Sequence, residues 1–118
     1  RVVAIGNIFA PLVSSSWEVD RVVATRSRLF ADMVRERGQL DLETLEQFHR
    51  SHAPERGPES VCMHRDDAST VSLSIVSVRS GSIEFRYEAG PPCESFEYET
   101  VTLARRMHGA PVLNGASA

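Results

Sequence analysis

Apolar residues in the first third of the chain recur at steps of three and four. Val19, Val22, Val23, Leu29, Phe30, Met33 and Val34 fall on one stripe, the spacing of a helix with a single buried face. Ser15-Ser16-Trp17-Glu18 ahead of the stripe has the pattern of a capping box, and Gly38 supplies a stop. Arg26 interrupts the stripe four residues from both Val22 and Phe30. Its stem must therefore run along the buried face, and its guanidinium calls for a partner, expected to be a carboxylate from elsewhere in the fold. Asp41 caps a second, shorter helix whose buried edge is Leu42, Leu45 and Phe48, ending near His52. The stretch Ala53-Pro54-Glu55-Arg56-Gly57-Pro58 that follows is a loop.

Beyond Ser60 the period changes to two. Val71, Leu73 and Ile75 alternate with serines, and Ile83, Phe85 and Tyr87 alternate with Glu84, Arg86 and Glu88, the signature of half-buried strands. Arg79-Ser80-Gly81-Ser82 has the residues of a hairpin turn. Phe96, Tyr98, Val101 and Leu103 mark a third strand beyond the turn at Gly90-Pro91-Pro92. The fold class is α+β, two helices followed by an antiparallel meander. At the other end, Arg1-Val-Val-Ala-Ile-Gly6 reads as a strand entering a turn, which places Asn7 at a strand end before Pro11. Residues 1–103 form one domain, and the small, polar stretch 104–118 is expected to be a flexible tail.

Composition narrows the field. A chain of 118 residues is sized for one domain. No apolar run approaches the roughly 20 residues of a membrane-spanning helix, so no membrane partner is expected. A net charge of −3 offers no broad footprint for a phosphate backbone, although Arg21, Arg26, Arg28, Arg35 and Arg37 crowd one segment, and nucleic acid is not an expected partner. Cys62 and Cys93 are too few for a disulfide scaffold and suit buried thiols in a reducing cytoplasm, the favoured compartment. A start at Arg1 without methionine reads as a fragment or a processed chain.

Four constellations could carry chemistry, and each has an ordinary alternative. Cys62-Met63-His64 sets a thiol and an imidazole on one side of an extended segment, as a thiolate pair or as a buried apolar cysteine. His49, His52, Cys62 and His64 together furnish four nitrogen and sulfur ligands for zinc in a non-catalytic metal-binding or assembly module. The alternative is surface histidines at a helix end. Asn7 could donate its amide to an oxyanion or bond its own turn. Arg65-Asp66-Asp67 presents a cation and two carboxylates to a cleft, or is a solvated turn. No glycine loop for phosphate is present.

Taken in order, Asn7 after a strand, the Arg26 helix, Ser60-Val-Cys62 after a proline-rich loop, Thr70-Val-Ser-Leu-Ser-Ile75 and Tyr87-Glu-Ala-Gly-Pro-Pro-Cys93 resemble a known family. It is the C-terminal half of the penicillin acyl-coenzyme A:6-aminopenicillanate acyltransferase (isopenicillin N acyltransferase-like) family, over about Ile5 to Leu103. Ile8 stands where the family usually has His after the asparagine, and Met63 where many members have Arg. The resemblance implies part of a four-layer αββα N-terminal-nucleophile hydrolase sandwich, with a cysteine upstream of this chain exposed by autoproteolysis. That cysteine would attack a linear, non-peptide amide C–N bond and pass the acyl group to water or an amine. Asn7 would polarise the carbonyl and Arg65 would assist through charge. The partners implied are a small-molecule amide or acyl donor and the N-terminal part of the same protein, with no cofactor and no metal. Val71, Leu73, Ile75, Ile83 and Phe85 would lack their opposing sheet.

Overall fold

The computed structural model describes residues 11–106, which fold as two helices and three strands. Helix α1, Val19–Arg37, ends as the sequence indicates: Gly38 takes φ 73° and returns its N–H to the Val34 carbonyl at 2.9 Å. Its start differs. Glu18, not Ser15, occupies the cap position, in a left-handed conformation and without a side-chain cap bond. The Ser15 hydroxyl is spent locally, accepting from the Trp17 amide at 3.0 Å and donating to the Trp17 carbonyl at 2.6 Å. The expected capping box does not form, because a serine followed so closely by an available amide closes its own turn first.

Helix α2, Leu42–Arg50, is capped by Asp41, whose carboxylate accepts from the Thr44 amide at 2.8 Å and from the Thr44 hydroxyl at 2.6 Å. Its buried edge is Thr44 and Phe48, with Leu42 left exposed, and the Phe48 ring meets Phe30 of α1 edge-on at 5.2 Å. The hydrogen bonds from the Thr44 hydroxyl and amide hold the Asp41 carboxyl down at about 2. A carboxyl whose folded pKa lies below its unfolded value, about 4, stabilises fully above that value and loses its contribution as the pH falls through 2. Thermal midpoints measured from about pH 5 down to pH 2 should therefore fall more in the wild type than in Asp41→Asn, which still caps but does not titrate. Parallel pH profiles would contradict this.

Strands β1 (Ser72–Val78), β2 (Ser82–Ala89) and β3 (Glu99–Ala104) form the expected antiparallel meander in the order β1-β2-β3. The register sets Leu73 opposite Glu88, Ile75 opposite Arg86, Val76 opposite Phe85 and Phe85 opposite Val101. The two faces therefore differ from the simple alternation. Leu73 and Ile75 share their face with Glu88 and Arg86, under α2. Val76, Val78, Ile83, Phe85, Tyr87, Val101 and Leu103 make up the other face, and all but Ile83 are exposed. Leu73 is buried, so it does not lack a covering layer, whereas Ile83 and Phe85 do lie on the uncovered side.

Charge ties the helical layer to the sheet. Glu88, 1% exposed, accepts two hydrogen bonds from one Arg50 nitrogen at 2.8 and 2.9 Å, with Arg86 at 3.5 Å. Arg86 in turn pairs with Glu46 of α2. Arg50 also donates to the carbonyls of Pro92 and Ser95, at 2.7 and 3.1 Å, and so fixes the turn after β2. Arg26 meets its need differently from the expectation. Its guanidinium donates to the backbone carbonyls of Glu59 (3.2 Å) and Ser60 (2.8 Å), not to a carboxylate, and burial lowers its pKa. Of the crowded arginines, Arg21, Arg35 and Arg37 all pair with acids of this chain. No helix among the described residues is long and apolar enough to cross a membrane.

Candidate functional site

Four side chains converge where α2, the following loop and the turn after β2 meet. His52 lies two residues past α2, whose end is marked by Ser51. The loop then doubles back. The Cys62 amide donates to the Ser51 carbonyl at 3.1 Å and the His64 amide to the Gly57 carbonyl at 3.1 Å. The buried Ser60 hydroxyl bridges the Gly57 and Cys62 carbonyls. His64 pairs with Ser69 across a tight turn, Met63 bonds Thr70, and Thr70 leads directly into β1. The hairpin returns the chain to the same place, where the Gly90 amide reaches the Val71 carbonyl at 2.8 Å. Pro91 then starts a turn, held by the Glu94 and Ser95 amides, that carries Cys93.

His52, Cys62, His64 and Cys93 thereby place one ligand atom each within 4.8 Å of one another. His64 Nε2 is the hub, at 3.2 Å from His52 Nε2, 3.6 Å from Cys62 Sγ and 3.5 Å from Cys93 Sγ. Burial, followed by the neighbouring Cys93, pushes the Cys62 thiol up to about 11. Burial and then Arg56, whose guanidinium lies 3.2 Å from His64 Nδ1, lower the pKa of His64. Cys62 is fully buried, so its pairing with His64 leaves no path by which a substrate could reach the thiol.

The structure assembles three of the four ligands expected from the sequence and replaces the fourth. His49 points elsewhere: it packs edge-on against Phe48 at 5.3 Å, and burial, then Arg50, lowers its pKa. It lines a different hollow, with Pro11, Arg26 and Val61. Cys93 takes its place. His49 belongs to α2 itself, and the step to His52 crosses the end of the helix, so helical spacing no longer relates the two.

Arg65 sits at the tight turn, its amide bonded to the Ala68 carbonyl at 2.8 Å and its Nε 3.3 Å from Asp67. It lines a cavity of about 460 Å³ together with Arg26, Met63, Thr70 and the Ser14-Ser15-Ser16 run. Two arginines therefore border one hollow. Asn7, the expected oxyanion donor, lies outside the described residues. No family model matches the chain, and no curated protein or solved structure matches it significantly.

Proposed function

We propose that this chain is the C-terminal portion of an N-terminal-nucleophile amide hydrolase or acyltransferase, cleaving or transferring acyl groups at linear, non-peptide C–N bonds. The observation that carries the reading is the two-faced sheet. One face lies under helix α2, and the other presents Val76, Phe85, Val101 and Leu103 bare, as one half of an αββα sandwich would before its second sheet is added. In this reading the nucleophile is a cysteine outside these 118 residues, as the resemblance implies, and the fully buried Cys62 is structural.

In this reading the carbonyl oxygen is held by the Asn7 amide as negative charge develops on it. Arg65, which borders the cavity, supplies positive charge toward an anionic part of the substrate or the acyl intermediate, while Arg26 serves the scaffold through the Glu59 and Ser60 carbonyls. Turnover of a panel of N-acyl amines by the whole protein tests it. Amine release that is lost on alkylation of a cysteine other than Cys62 and Cys93 is expected. An absence of release across acyl chains of different length and polarity would withdraw the reading.

A further inference from the structure

We infer that His52, Cys62, His64 and Cys93 form a closed, tetrahedral zinc-type metal site that pins the helical layer to the sheet. Zinc binds imidazole nitrogen at about 2.05 Å and thiolate sulfur at about 2.3 Å. Tetrahedral angles then put nitrogen–nitrogen edges at about 3.3 Å and nitrogen–sulfur edges at about 3.6 Å. The three edges that meet at His64 Nε2 measure 3.2 Å to nitrogen and 3.6 and 3.5 Å to sulfur. Hydrogen bonding does not account for the convergence. His64 Nε2 carries either one proton or one lone pair, so it makes one well-aligned hydrogen bond, donated or accepted, and not three.

The donor set is chemically selective. Two thiolates and two imidazoles suit zinc, and with all four positions filled by protein no place remains for a reacting water, so the site is structural. Its ligands come from three parts of the chain, and the buried apolar residues among those described are few: Val22, Phe30, Phe48, Cys62 and Leu73. A metal cross-link is a common way for so small a core to hold its shape. Loading also makes a local demand. Coordination through Nε2 places the His64 proton on Nδ1, where Arg56 now sits as a donor, so the exposed Arg56 side chain turns away when the metal binds.

The inference stands apart from the acyl-transfer reading, and none of its readouts is an activity. Elemental analysis of the purified whole protein should give one zinc per chain. Removing zinc with a chelator should lower the melting temperature, and adding zinc back should restore it. Cobalt titrated into the stripped protein should give the intense visible spectrum of a tetrahedral, thiolate-bound ion. Cys93→Ser should weaken cobalt binding about tenfold or more, since losing a ligand costs at least what losing an outer partner does. His49→Gln should bind as the wild type does. Protein that carries no zinc and shows no tetrahedral cobalt spectrum would overturn the inference. So would a Cys93→Ser variant that keeps both affinity and spectrum, and the wild-type spectrum decides the matter even if that variant does not fold.

Discussion

Arg50→Met is expected to destabilise the fold by about 3–5 kcal/mol, the cost of leaving one charge of a buried pair without its partner. Glu88 is 1% exposed and takes its two strongest hydrogen bonds from Arg50, and Arg86 at 3.5 Å is shared with Glu46 and cannot replace them. The same guanidinium fixes the Pro92 and Ser95 carbonyls, so its loss also frees the turn that carries Cys93. Denaturant titration should show a lower midpoint with little change in slope. Adding Glu88→Leu to Arg50→Met should recover part of the loss, because the orphaned carboxylate is then gone. A single variant within about 0.5 kcal/mol of the wild type, the range of an ordinary surface change, would show that the pair does not hold the layers together.

Asn7→Ala in the whole protein is expected to lower turnover by about 10²- to 10³-fold, the usual penalty for removing one oxyanion donor. A donor that acts on the developing oxyanion alone leaves ground-state binding unchanged, so the loss is expected mainly in kcat, with KM little changed. Asn7→Asp should be comparably impaired, since a carboxylate repels the developing charge that an amide stabilises. Turnover unchanged in Asn7→Ala removes the residue from the mechanism. An equal loss in kcat/KM that arises entirely from KM would make it a binding residue instead.

Much of the fold follows from period and punctuation. Gly38 ends α1, Asp41 caps α2, and the serine-rich turn at Arg79–Ser82 closes the β1–β2 hairpin, each from a local rule that nothing in the tertiary structure opposes. The start of α1 was not legible, because Ser15 had a nearer amide to satisfy than the one a capping box requires. The faces of the sheet were not legible from either strand alone. In β1 the leucine and isoleucine alternate with serines, in β2 the apolar residues alternate with charges, and only the register decides that Leu73 lies with Glu88 and not with Phe85.

The four-residue cluster was half legible for a related reason. His52, Cys62 and His64 lie close in sequence and attract notice together, while Cys93 is separated from them by a whole hairpin. The hairpin itself holds the missing clue. Pairing Ser72 with Ala89 brings Gly90 back to Val71, beside the Thr70 that bonds Met63, and a cysteine three residues past Gly90 is then delivered to His64. Arg26 was legible as a cation whose stem runs along the helix's packed face, and it is half-buried there, but its partners are backbone carbonyls after the proline-rich loop, which no side-chain pattern announces.

The reading of this chain as half of a self-activating amide hydrolase is tested most directly by the intact mass of the complete translated protein after expression and purification. Two polypeptides, the second beginning with cysteine and containing the 118 residues or folding with them, are the predicted result. A single uncut chain, stable on storage and unreactive toward cysteine-directed acylating reagents, would contradict it.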